Sequence, residues 1–185
     1  MKKIILASSS PRRKELLTTA GLEFEIHVKD VDETIPEGTL PEEAAKMTAK
    51  KKAAAVADGF RDSIVIGADT IVVANGKILG KPKDEADAAA MLTMLSGKEH
   101  EVITGVCIIC NGEIESFAQI SKVKFYDFTN AEILDYVATK EPMDKAGAYG
   151  IQGLGCTLVE RIEGDYFNIV GLPVAEVSRK IKKFL

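Results

Sequence analysis

The chain has 185 residues, 46% of them apolar, and a formal net charge of -4. That suits one domain, or one domain with two lobes around a cleft, with a substantial core. The acidic balance argues against broad attachment to nucleic acid or an anionic membrane, and charged residues break every apolar run short of a transmembrane span. Lys2-Lys3, a few apolar residues and then arginines do not resemble an export signal, so the expected compartment is the cytoplasm. Cys107 and Cys110 lie three apart in an alternating strand pattern, which puts them on opposite faces. With Cys156 and two histidines as the remaining soft ligands, a core role is expected and a zinc site is not.

In chain order, residues 2–7 read as a strand and 11–20 as a helix stopped by Gly21. Ser10 fits the cap of that helix and Pro11 its first position. Residues 23–28 alternate as a strand, and Asp32 to Pro36 form a loop. Pro41 opens a helix to about Asp58, with Ala45, Met47, Ala49, Ala53, Ala54 and Val56 as its apolar stripe and lysines interleaved. Such an alanine-rich helix can approach a sheet closely. Ser63 to Ala68 is a buried strand ending at Asp69-Thr70, and Ile71 to Ala74 continue it to a turn at Asn75-Gly76. Residues 84–95 form a helix stopped by Ser96-Gly97, and two long strands, 99–110 and 113–127, flank a hairpin turn at Asn111-Gly112. A helix at 130–139, a glycine-punctuated loop from Glu141 to Gly155, a strand at 158–162 and an amphipathic helix at 173–184 complete the chain. The class is α/β with a mixed sheet and flanking helices.

Ser8-Ser9-Ser10-Pro11-Arg12-Arg13 place hydroxyls, free helix N–H groups and two guanidinium forks together, a combination suited to a multiply charged anion such as a phosphate chain. Asp69 at the end of a buried strand is well placed for catalysis, and Glu33 beside Asp32 could help hold a hard divalent cation. Lys81, fixed between Gly80 and Pro82, reads equally as a phosphate-facing charge or as a surface-turn lysine, while Lys52 sits on a helix whose default is a solvated face. In the segment Asp144 to Gly155, closely spaced glycines imply tight turns and close approach of backbone to something, Tyr149 offers a ring for stacking, and Gln152 an amide able to read a base edge. The spacing is neither the dinucleotide fingerprint nor a Walker loop. Together these residues imply metal-assisted hydrolysis of a nucleotide, with the phosphorus attacked and the base used left open.

Several motifs carry a resemblance over nearly the whole length: Ala7-Ser8-Ser9-Ser10-Pro11-Arg12-Arg13-Lys14-Glu15-Leu16-Leu17, Gly67-Ala68-Asp69-Thr70-Ile71-Val72, Gly80-Lys81-Pro82, Leu95-Ser96-Gly97-Lys98 before His100, Glu141-Pro142-Met143-Asp144-Lys145-Ala146-Gly147-Ala148-Tyr149-Gly150-Ile151-Gln152-Gly153, and Gly171-Leu172-Pro173. The chain closely resembles the Maf family of nucleoside triphosphate pyrophosphatases, within it the dTTP/UTP pyrophosphatase subgroup. The resemblance implies a single Maf-like domain over 1–185, with the elongated α/β architecture shared with inosine triphosphate pyrophosphatases, two lobes around a cleft, as a homodimer. It implies cleavage between the α and β phosphates of dTTP or UTP, assisted by Mg²⁺ or Mn²⁺. By motif, Asp69 looks like the proton acceptor; Arg12, Thr70 and Gln152 like specificity positions; Arg13, Lys52 and Lys81 like phosphate or catalytic contacts. Ser8 looks like a further pocket member, and Glu33 a metal ligand with Asp69. The rival readings are a pyrophosphatase for 7-methyl-GTP or another modified nucleotide, and a septum-formation regulator acting by protein contacts alone.

Overall fold

The computed structural model describes residues 2–185. Seven strands form one sheet among them: β1 (Ile4–Leu6), β2 (Glu25–Ile26), β3 (Ile64–Ala74), β4 (Lys77–Leu79), β5 (Glu99–Cys110), β6 (Glu113–Phe125) and β7 (Val159–Glu163), in the order β2-β1-β3-β5-β6-β7 with β4 beside β3. β1 runs parallel to β2 and β3, whereas β3–β4 and β6–β7 are antiparallel, so the sheet is mixed as the alternation of elements predicted. Both Asn-Gly turns form as read. Asn75 and Gly76, and likewise Asn111 and Gly112, all have positive φ, the requirement of a two-residue hairpin that follows the strand twist. No helix among the described residues is long and apolar enough to cross a membrane.

The helices are α1 (Pro11–Thr19), α2 (Pro41–Ala57), α3 (Glu85–Leu95), α4 (Asn130–Ala138), α5 (Tyr166–Val170) and α6 (Val174–Ile181). By packing, the chain divides into two compact units. One comprises the chain up to Thr70 with Thr104–Gln119 and Gly171–Leu185; the other comprises Ile71–Ile103 and Ile120–Val170.

In the first unit, α2 lies hard against the sheet. Its Ala49, Ala53 and Val56 pack on Ile5, Ala7, Val65, Cys107 and Ile109. A Cβ built on Gly67 would lie 2.3 Å from the Ala49 carbonyl oxygen, and one on Gly105 2.3 Å from the Ala45 carbonyl carbon. Small residues on both surfaces therefore set the helix–sheet distance. Ala54, expected in the buried stripe, is exposed, since contact this close leaves room for a narrow stripe alone. Cys107 is core as expected, and burial pushes its thiol up to about 11 against the nearby Lys50 ammonium.

In the second unit, α3 packs on α4 and on the 3₁₀ turns of the segment after it. Asp84 caps α3 by accepting from the Asp87 N–H at 2.8 Å, and Thr129 with Glu132 forms a capping box on α4. The expected loop from Glu141 holds three 3₁₀ turns, Glu141–Asp144, Ala146–Ala148 and Gly153–Leu158. The helix α5 was not expected. It is one short turn whose buried Asn168 donates to the Val102 carbonyl at 3.0 Å and to Ser121 Oγ at 2.9 Å, and so short a segment has no apolar period to read. The predicted strand at 23–28 shrinks to two residues, because its partner β1 offers only Ile5 and Leu6 for pairing.

Candidate active site

Two polar clusters flank β3 in the first unit. β1 pairs no further than Leu6 with Ile66, and β3 runs on past it through Asp69 and Thr70. Asp69 is thus within an 11-residue strand and not at its end, as the sequence had suggested. Strand alternation turns Asp69 to the α2 side, which Gly67 also faces, and Thr70 to the other.

On the α2 side, Lys52 Nζ lies 2.7 Å from Asp69 Oδ1 and 3.0 Å from Glu33 Oε1. The default of a solvated lysine fails here, because the close seating of α2 brings this turn beside Asp69. Lys51, next in the helix, donates to the Asp32 and Thr34 carbonyls at 2.8 and 2.9 Å and pins the loop that presents Glu33. Sequence reading missed Lys51, since a lysine run on a helix looks like a solvated face. Asp32 does not join Glu33. Its carboxylate accepts the Thr34 N–H at 2.9 Å, and hydrogen bonds from Thr34 hold its carboxyl below the ordinary value.

On the opposite side, Arg13 is buried. Its Nε donates to the Gly171 carbonyl at 2.9 Å, Nη1 to Ser8 Oγ at 3.0 Å and Nη2 to Thr70 Oγ1 at 3.0 Å. Burial lowers its pKa and the Asp69 and Glu33 charges oppose that shift, yet a guanidinium remains a cation. Ser10 occupies the cap position of α1 without a side-chain cap; Ser8 Oγ instead accepts the Ser10 N–H at 3.3 Å. Thr70 Oγ1 also meets Thr104 Oγ1 at 2.9 Å and the Gly171 carbonyl at 3.4 Å. One proton and two lone pairs are fully occupied by these three contacts. Gly171 has φ of 134°, a backbone conformation open to glycine, and this turns its carbonyl to serve both Arg13 and Thr70. Thr104 and Gly171 are functional candidates the sequence reading did not single out as residues. Arg12, second in α1, is half-buried.

Lys81 and Gln152 belong to the second unit. Lys81 follows β4 and is exposed, and the Gly80 carbonyl before it accepts the Gly147 N–H at 3.0 Å. Gln152 is half-buried, and its amide makes no hydrogen bond among the described residues. Tyr149 is not a stacking platform. It is buried with its ring 4.6 Å from Phe125 and its hydroxyl 2.8 Å from His100 Nε2. Burial pushes His100 down to about 4 and raises the Tyr149 phenol. What the glycines approach is also internal to the protein. Glu141 Oε1 accepts from the Gly155 N–H and the Tyr136 hydroxyl, both at 2.9 Å, and Oε2 from the Leu154 N–H at 3.0 Å. Tyr136 Oη in turn accepts the Gly150 N–H at 3.3 Å.

Residues 3–184 match the family described as Maf-like protein. The chain belongs to the Maf family. This Maf chain is 57% identical to the dTTP/UTP pyrophosphatase of Geobacillus sp. (strain WCH70), over 99% of its own length and 98% of that relative. It is 53% identical to the dTTP/UTP pyrophosphatase of a Bacillus cereus strain, over 100% of its length and 91% of the relative. Among solved structures, that of the Staphylococcus aureus Ham1 protein aligns with a TM-score of 0.47 at 18% identity, covering 85% of this chain and 80% of that one.

For the metal that the Maf resemblance implies, Glu33 and Asp69 provide oxygen donors of the kind a hard divalent cation takes. Each has one oxygen on Lys52 and a second with no hydrogen bond among the described residues. No group of three or more His, Cys, Asp or Glu that could hold a metal occurs among the described residues. The pair would supply one or two carboxylate oxygens of the kind a magnesium-like ion takes.

Proposed function

We propose that this Maf chain hydrolyses dTTP and UTP to the nucleoside monophosphate and pyrophosphate, with Asp69 as the base that takes the proton of the attacking water. The observation that carries the reading is the state of Asp69: Oδ1 is fixed by Lys52 at 2.7 Å, and Oδ2 carries no hydrogen bond among the described residues. A carboxylate held by one oxygen presents the other in a defined direction, which is what a general base requires. The names of the relatives at 57% and 53% identity support the pyrimidine triphosphate substrates.

In this reading Arg12, Arg13 and Lys81 offset charge as it moves onto the departing pyrophosphate, and Ser8 and Thr70 fix the Arg13 fork. Lys52 bridges Asp69 and Glu33 and orients both. A Mg²⁺ or Mn²⁺ ion held through Glu33, with Asp69 beside it, would neutralise phosphate charge when bound. Gln152 offers its amide to the base edge. A site whose polar groups match one base leaves them unpaired with another, which is how a few such contacts discriminate.

The test is hydrolysis of dTTP with Mg²⁺ in ¹⁸O-labelled water. The expected products are dTMP carrying the label and unlabelled pyrophosphate. Release of dTDP and phosphate overturns the proposed cleavage, and label in pyrophosphate moves the attack to the β phosphorus. A preference for 7-methyl-GTP over dTTP and UTP overturns the substrate assignment.

A further inference from the structure

The glycine-rich segment around Gln152 is built on a carboxylate. Glu141, half-buried, reaches across to residues thirteen and fourteen further on and accepts the Leu154 and Gly155 N–H groups. Tyr136 links the far side of the same segment, donating to Glu141 and accepting from Gly150. Gln152 is therefore held on both flanks, at Gly150 before it and at Leu154 and Gly155 after it.

The glycines are matched to this arrangement. Gly153 has φ of 66°, and a Cβ there would lie 2.7 Å from Glu141 Oε2. One on Gly155 would lie 2.1 Å from the Gly150 carbonyl oxygen and 2.7 Å from Tyr136 Oη. The backbone is drawn onto the two anchoring side chains as closely as it can go. Lys145 closes the base of the segment, its ammonium donating to the Glu141 carbonyl at 2.6 Å and to Asp144 at 2.7 Å. Carboxylate-to-amide bonds of this kind are the stronger, charge-assisted class, and two of them converge on one side chain.

We infer that Glu141, braced by Tyr136, is a positioning residue for base choice: it fixes the backbone that presents the Gln152 amide. The inference rests on the assignment of Gln152 to the base edge made above. Base selectivity by hydrogen bonding depends on sub-ångström placement, so loosening this anchor costs discrimination before it costs the phosphate chemistry.

The experiment compares Glu141→Gln, Tyr136→Phe and Gln152→Ala with the parent in kcat and KM for dTTP, UTP, dCTP and GTP, together with amide hydrogen exchange at Leu154 and Gly155. Glu141→Gln keeps the shape but turns one acceptor into a donor facing an N–H. It is expected to narrow the dTTP-to-GTP ratio of kcat/KM about tenfold or more, mainly through KM for dTTP, and to speed exchange at both amides. Tyr136→Phe, the milder change, is expected to move the ratio in the same direction by less. Faster exchange with an unchanged substrate ranking, or a uniform loss across all four nucleotides, overturns the inference. If Glu141→Gln does not fold, Tyr136→Phe decides by the same two readouts. Should Gln152→Ala itself leave the ranking unchanged, the reading of Gln152 fails; should it alone change the ranking, only the anchor fails.

Discussion

As the proposed base, Asp69 must present one oxygen in a fixed direction, and Lys52 holds the other through a single 2.7 Å contact. Asp69→Asn keeps the shape and leaves Lys52 with Glu33 as partner, so the chain should fold normally. Its turnover of dTTP is expected to fall by about 10²- to 10⁴-fold, the range for loss of a positioned base. Steady-state kinetics beside far-UV circular dichroism check this; near-parent turnover in a folded variant would mean that another group activates the water. At the same scale, burial separates residues the sequence presents as equals. Arg12 and Arg13 are neighbours with the same chemistry, yet Arg13 is committed to Ser8, Thr70 and the Gly171 carbonyl, the last of these 158 positions away. No local pattern announces such a partner.

At the scale of elements, the seating of α2 governs the Lys52–Asp69 contact. Gly67→Ala would set a methyl group 2.3 Å from the Ala49 carbonyl oxygen and 2.7 Å from the Ala53 nitrogen, so the helix must move. The expected cost is about 1–3 kcal/mol, with activity falling further than stability because Lys52 moves with the helix. Urea midpoints and kcat/KM measured on the same preparation test it; a variant as stable and active as the parent would show that α2 has room to shift. The alanine-rich character of α2 and both Asn-Gly turns were legible in the sequence, because each is a local requirement written in residue type. The glycine segment was legible as a close approach but not as to its object. A carboxylate meeting two N–H groups thirteen and fourteen residues on leaves no periodic trace, and Tyr149, which looked like an outward ring among small residues, is core.

For the molecule as a whole, the class, the mixed sheet and the family were readable from motifs in order. The ranges of β2 and α5 and the pairing of Lys51 were not, since they follow from partners remote in sequence. Stability of the whole chain carries the mark of one buried imidazole. His100 sits against Phe125 and Tyr149 with Nδ1 unpartnered among the described residues, and burial pushes it down to about 4 from an ordinary 6.5. The unfolded chain takes up that proton more readily than the folded one through this window. The contribution is fully present above pH 6.5 and is lost as pH falls towards 4, about 3 kcal/mol in total. Urea unfolding at pH 7.5 and pH 4.5 should show the decline, and His100→Gln should remove most of it. An equal decline in that variant would locate the effect in other groups.

The burial of Arg13 has a consequence for how the protein responds to ionic strength. Its charge is fixed in the interior by three contacts made on folding, so no counterion atmosphere can gather round it and nothing must reorganise when an anion approaches. Lys81 is exposed, and its field is screened over roughly a Debye length in ordinary buffer. Two cations proposed as phosphate contacts thus differ in kind: added salt is expected to dim the field of the exposed Lys81, while the field of Arg13 at close range persists.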